Sequence, residues 1–298
     1  MTENTTDRQW LDAQGDPIDE EDRGLVYDVR TLVNRRNVLG LFGGIATASL
    51  LAACSTPTSA ASGATASANA SATASATAAA TASATATTAG DVTEVPDETA
   101  GPYPGDGSNG VDVLGDSGIV RSDIRSSFGS STTTAPGVPL TIQLGVRDAS
   151  TGAALTGAAV YLWHCDRDGA YSLYSKGITS ENYLRGVQAV DASGIVTFTS
   201  IFPACYSGRW PHIHFEVYAN VATAVASGPI VKTSQIAMPK ETCDVVYATS
   251  GYAQSVKNLA SVSLSTDNVF SDDGAIHQIA TVSGSVDAGF TAALTVGV

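Results

Sequence analysis

Residues 212–218 read His212-Ile213-His214-Phe215-Glu216-Val217-Tyr218, and aromatic and β-branched residues recur through them at a period close to two. Pro139 to Val146 (PLTIQLGV), Ala158 to His164 (AAVYLWH), Gly194 to Ile201 (GIVTFTSI) and Thr291 to Val296 (TAALTV) share that texture. Gly, Asp, Asn and Ser separate the runs, and these are turn formers. A period of two places alternate side chains on opposite faces, so such runs predict strands with one face buried. No long amphipathic helix is present; Tyr252 to Leu259 predicts one short helical turn. The expected fold is all-β, a β-sandwich carrying functional loops, over residues 91–298.

Upstream of that domain the composition changes. Ser55 to Gly90 is almost wholly Ala, Ser and Thr, with no charged residue. Ser and Thr compete for backbone hydrogen bonds, and there is no apolar face to bury, so this stretch predicts a disordered tether. Before it, Arg35 and Arg36 form a twin-arginine pair, followed by the uncharged run Val38 to Ala53 and by Leu51-Ala-Ala-Cys54. The run is too short and weak for a comfortable membrane span. The pattern predicts a twin-arginine-type lipoprotein signal over 1–53, a lipidated Cys54 opening the 54–90 tether, and a protein held at the outer face of a bacterial cytoplasmic membrane. An uncleaved anchor helix is the alternative. The acidic Met1 to Asp28 segment carries no readable role. The 298-residue chain has a formal net charge of −14. That argues against nucleic acid as a partner, since phosphate binding needs a basic face.

Two segments carry chemistry. One is Trp163-His-Cys-Asp-Arg-Asp-Gly-Ala-Tyr171; the other is Phe202-Pro-Ala-Cys-Tyr206-Ser-Gly-Arg209-Trp-Pro-His212-Ile-His214-Phe. On a strand, His212 and His214 share one face about 6.5–7 Å apart, within reach of one metal ion. Imidazole suits Zn, Cu, Fe or Ni, and alone the pair equally fits two ordinary buried histidines. The neighbouring tyrosines change this, because a phenolate is a hard anionic oxygen that matches Fe(III).

These segments resemble the intradiol ring-cleavage dioxygenases, the group that includes protocatechuate and catechol dioxygenases. In that family two tyrosines and two histidines hold Fe(III). Tyr171 sits at the matching place after Trp163, and Tyr206, Arg209, His212 and His214 match the order of the second segment. The likeness extends to Thr99, Gly101, Pro102 and Tyr103 as a substrate-facing segment and to Gln235 as a pocket glutamine, and so covers Asp91 to about Pro239. Tyr174 and Tyr183 compete with Tyr171 as strand-end aromatics, His164 reads as a strand-end histidine, and His277 as surface. Cys205 stands where intracellular relatives carry Pro, the Tyr206–His212 loop is short, and the long helical dimerisation region of catechol-type enzymes has no counterpart.

The resemblance implies a non-haem Fe(III) dioxygenase that uses O2 to cleave a catechol-type ring between its two hydroxylated carbons, giving a muconate-type diacid. The small aromatic diol would chelate the metal with both oxygens and displace Tyr206, whose phenolate would take a proton; Arg209 would face developing negative charge. The rival reading is a non-catalytic, membrane-tethered sandwich binding carbohydrate or another cell-wall ligand. A zinc or copper site on His212 and His214 is a third. With Cys54 lipidated, Cys165, Cys205 and Cys243 remain, an odd set that allows at most one disulfide. Cys205–Cys243 is the expected pair, three buried thiols the alternative. The identity of the catechol and the oligomeric state stay open.

Overall fold

In the strand Pro139–Arg147 (β1), Leu140, Ile142, Leu144 and Val146 are buried while the residues between them are partly or fully exposed, the pattern of a sheet with one face in the core. The computed structural model describes residues 92–298. The signal region 1–53, Cys54, the 54–90 tether and Asp91 lie outside the described residues. The other strands are β2 (Ala159–Trp163), β3 (Arg185–Ala189), β4 (Ile195–Ile201), β5 (His212–Tyr218), β6 (Ile230–Ala237), β7 (Thr281–Ser285) and β8 (Gly289–Gly297). They form two four-stranded sheets, ordered β4-β1-β8-β7 and β3-β2-β5-β6. All pairings are antiparallel except β1 with β8. The expected β-sandwich is what the chain forms.

One core lies between the sheets. Leu140, Ile142, Leu144, Phe198 and Phe290 from the first sheet meet Val160, Leu162, Ile213, Phe215 and Ile236 from the second. Truncating one such side chain to Ala typically costs about 2–5 kcal/mol, so this layer fixes the register of β5. A second cluster covers the opposite face of the β3-β2-β5-β6 sheet, where Tyr161, Trp163, Val187 and Tyr218 pack with Ala100, Tyr103, Leu114, Ile119 and Tyr171 from loops. Both faces of β2 and β5 are therefore buried. The odd-numbered residues of β5 point into the sandwich, and the even-numbered ones, His212 and His214 among them, point under the loops.

The expected helical turn appears as Ala253–Leu259, and two further short helices, Val221–Val225 and Lys240–Tyr247, were not foreseen. In chain order these three are α1 (Val221–Val225), α2 (Lys240–Tyr247) and α3 (Ala253–Leu259). The side chain of Asn220 caps α1 by accepting from the Thr223 amide at 2.9 Å. Gly186 has no substitute in β3, since a Cβ there would sit 2.5 Å from Cγ2 of Ile124. Among the described residues no helix is long and apolar enough to cross a membrane.

Candidate metal centre

The sheet register builds the floor of the site. His214 lies across from Trp163 on one side and Gln235 on the other. The Trp163 and His214 rings stack at 4.9 Å with 4° between planes, which fixes the imidazole's orientation. His212 Nδ1–H donates to the Trp210 carbonyl at 2.5 Å. A carbonyl only accepts, so the proton is on Nδ1 and the lone pair of His212 is on Nε2. That nitrogen lies 3.1 Å from His214 Nε2. Burial first, then neighbouring positive charge, drives both histidines well below their usual pKa, leaving neutral imidazoles suited to ligation.

Two loops bring the phenols. Asp166 closes the turn before Tyr171 by accepting from the Asp168 and Ala170 amides, and Ser175 Oγ accepts from the Tyr171 amide at 2.9 Å. The second loop runs from β4 to β5 and carries Tyr206. The loops touch, for a Cβ at Gly169 would lie 3.1 Å from Cβ of Tyr206. His212 Nε2 is 3.5 Å from the Tyr171 hydroxyl and 3.2 Å from that of Tyr206. Tyr171 is fully buried and Tyr206 partly exposed. Burial, and next the charge of Tyr206, raises the Tyr171 pKa well above the usual phenol value. Burial disfavours the Tyr171 phenolate unless a strongly positive ion lies beside it.

The donors therefore fit a hard trivalent metal. Among the described residues no group of three or more His, Cys, Asp or Glu could hold a metal ion, and the hydroxyls of Tyr171 and Tyr206 are the oxygens that approach His212 Nε2. That donor set suits Fe(III) better than the softer zinc or copper alternatives. Of the competing aromatics, Tyr174 accepts from the Gly105 amide and donates to Asn109, and Tyr183 donates to Asp166. His164 is satisfied by the Cys165 carbonyl and Ser200 Oγ, each at 2.7 Å, and His277 is exposed.

The substrate-facing candidates gather on the same side. A Cβ at Gly101, whose φ is +70°, would touch His214 Cε1 at 3.4 Å. Tyr103 lies 5.0 Å from Tyr171 between ring centroids. Thr99 Oγ1 accepts from the Gly101 amide, its carbonyl accepts from Gln235 Nε2 at 2.8 Å, and the Pro102 carbonyl accepts from Asn109. Arg209 is buried, with Nη1 3.4 Å from His212 Nε2 and Nη2 donating to Gln235 Oε1 at 2.7 Å. Its Nε donates at 2.9 Å to Asp267, a fully buried residue that sequence reasoning did not single out. Burial opposes the Arg209 charge, but the negative groups around it, Tyr206 and Asp267 foremost, leave its pKa raised.

The expected Cys205–Cys243 disulfide is corrected: Cys165, Cys205 and Cys243 are all free and buried. The Cys205 thiol, held up at about 12 by burial, donates to the Arg209 carbonyl at 3.4 Å. Cys243 faces the sandwich core from α2. Both are packed as thiols rather than bridged, the alternative that the odd count left open.

Fold and site together define a β-sandwich with a two-histidine, two-tyrosine centre on the outer face of one sheet. Residues 122–227, which include Tyr171, Tyr206, Arg209, His212 and His214, match the family model described as Dioxygenase. A chlorocatechol 1,2-dioxygenase of Rhodococcus opacus is 37% identical over 104 residues, 28% of this chain and 40% of that protein's length. An intradiol ring-cleavage dioxygenase from Tetranychus urticae superposes with a TM-score of 0.55 at 26% identity, over 69% of this chain and 94% of that one. In matched segment and in fold, the chain is similar to intradiol ring-cleavage dioxygenases. The matched part spans less than half of the curated relative, at 40% of its length.

Proposed function

We propose that this protein is a non-haem Fe(III) dioxygenase that opens a catechol-type ring between the two hydroxylated carbons with O2, giving a muconate-type diacid. The observation that carries this reading is the convergence of the Tyr171 and Tyr206 hydroxyls and His214 Nε2 within 3.5 Å of His212 Nε2. When bound, Fe(III) would supply Lewis acidity toward both substrate oxygens and an electronic route to O2. The chain's residues do the rest. Tyr206 is the partly exposed phenol on a turn, so it is the one with room to swing away and accept a substrate proton as phenolate. Tyr171, enclosed by Tyr103 and His214, has no such freedom and keeps its place. Arg209 Nη1 is the donor left to meet negative charge developing on the substrate. Gln235 and the Thr99–Tyr103 segment close over the ring. The non-catalytic module is disfavoured, because a binding platform needs neither paired phenols nor a buried guanidinium beside two neutral imidazoles.

The test is metal analysis with oxygen uptake. Purified protein should hold close to one iron per chain, show a tyrosinate-to-iron absorption band and consume O2 with catechols; His212→Ala and His214→Ala should each lose most of the iron. Full iron retention by both variants would sink the ligand assignment. Export and lipidation through Cys54 stand beside this as a separate proposal, supported by Arg35-Arg36 and Leu51-Ala-Ala-Cys54.

A further inference from the structure

We propose that Asp267 is a positioning residue for this reaction: it fixes the direction of Arg209 and with it the guanidinium N–H that faces the substrate. The proposal rests on the role given to Arg209 above. Asp267 has no exposed side-chain surface, and both its oxygens are engaged. Oδ2 accepts from Arg209 Nε at 2.9 Å and from the Trp210 amide at 2.6 Å, while Oδ1 accepts from the Val269 and Phe270 amides at 2.8 and 3.0 Å. A carboxylate held by that many donors is immobile. Arg209 is in turn pinned at two corners of its plane, Nε by Asp267 and Nη2 by Gln235. Two fixed points orient a rigid planar fork, and Nη1 is then aimed at the donor cluster. Oδ2 also holds the Trp210 amide, so the same carboxylate fixes the backbone immediately after Arg209. Asp267 lies outside the matched family segment 122–227, in the part of the chain between α3 and β7.

A bland alternative is that Asp267 only caps the turn at Val269 and Phe270. The two roles part in Asp267→Asn, measured on the iron-loaded full chain. The amide keeps the size, but its single carbonyl serves one pair of donors and its NH2 then confronts the other. The expected result is a kcat lower by about 10- to 100-fold, with KM for catechol, iron content and the tyrosinate band nearly unchanged. In an Arg209→Gln background the same change should cost less than about two-fold, because there is no guanidinium left to aim. Thr266→Ala, which removes the acceptor of the Ser263 amide at 2.9 Å, should lower the melting temperature and spare kcat. Asp267→Glu retains the charge and serves if the Asn variant folds poorly; its smaller kcat loss should show the same dependence on Arg209. Equal losses with and without Arg209, or no loss in Asp267→Asn, would overturn the proposal. A denaturant-midpoint cycle on the metal-free chain adds a readout independent of turnover: Asp267→Asn and Arg209→Gln should be less than additive, and additivity there would also overturn it. A parent that opens no catechol but keeps that coupling would refute the proposed function and leave the Asp267 brace standing.

Discussion

Tyr171 and Tyr206 approach the same histidine nitrogen but differ in what surrounds them, and the difference separates their roles. Tyr171 is enclosed by Tyr103, Tyr206 and His214 rings, whereas Tyr206 lies on a turn with part of its surface open. Tyr206→Phe keeps the ring and removes the oxygen, leaving three protein ligands, so iron should stay while the ring-cleavage rate falls by about 10²-fold or more through loss of the proton acceptor. Tyr171→Phe should instead lose much of the iron. Iron content and oxygen uptake for both variants check this, and normal activity in Tyr206→Phe would refute the proton-acceptor role. Glu98, beside Thr99, gives a prediction in pH. Burial, opposed by its hydrogen bond from Gln278 and reinforced by Asp272 and Asp273, raises its pKa to about 7. A folded pKa above the unfolded value means the native state binds the extra proton, so stability is present below about pH 4.5 and declines as pH rises toward about 7. Discounted for its partial exposure, the loss is roughly 1–2 kcal/mol. Urea midpoints at pH 5 and 7.5 should show it, and Glu98→Gln should flatten it.

At the scale of elements, β3 matters more for the loops it holds than for its own pairing. Arg185, buried at its start, donates from Nη1 to the Pro104 carbonyl, from Nη2 to the Tyr103 and Ser172 carbonyls, and from Nε to Ser172 Oγ. One guanidinium thus ties the Tyr103–Pro104 segment to the loop carrying Tyr171. Arg185→Met fills the volume but strands buried carbonyls, each worth about 1–3 kcal/mol. The variant should unfold at least about 3 kcal/mol more easily in urea and release iron faster, and a wild-type unfolding midpoint would count against the tie. Neither β3 nor Arg185 was legible in the sequence. Gly186 and Gln188 interrupt the apolar run, and the fit of Gly186 against Ile124 is a tertiary fact. β7 was missed because its residues are mostly exposed on a sheet edge and leave no alternation to read. α2 was missed because its β-branched residues argue locally for strand, and core contacts of Cys243, Val246 and Tyr247 decide for helix. β1, β2, β4, β5 and β8 were legible because one face of each run is apolar. The site divides in the same way. Tyr206, Arg209, His212 and His214 crowd into one segment that can be matched as a motif, whereas Asp267 reaches Arg209 across a long stretch of chain. Cysteine parity bounds how many pairs can form but carries no distances, which is why the Cys205–Cys243 expectation failed.

For the whole molecule, the question is how the folded unit relates to what precedes it. The start of the described region is locked to its far end: the Val95 amide donates to the Gly297 carbonyl at 3.0 Å, and Lys232 pairs with Glu94 at 2.7 Å. Glu94 also bridges to Gly297 beside β8, so the sandwich closes on its own final strand. The proposed iron ligands, Arg209, Asp267 and both cores lie within 92–298. The lipid-anchor proposal concerns Cys54 and the catalytic one residues 171–214, so the two are tested separately. If Leu51-Ala-Ala-Cys54 is a lipidation signal, Cys54→Ser abolishes the thioether anchor, and a chain of net charge −14 has little other affinity for an anionic bilayer. In bacterial fractions the parent should sediment with membranes and need detergent for release, while Cys54→Ser should be soluble or remain as the unprocessed precursor. Melting temperature, iron per chain and kcat of the purified variant should equal those of the parent. Identical processing and fractionation of the two proteins would defeat the lipid-anchor proposal, and it would do so without touching the metal centre.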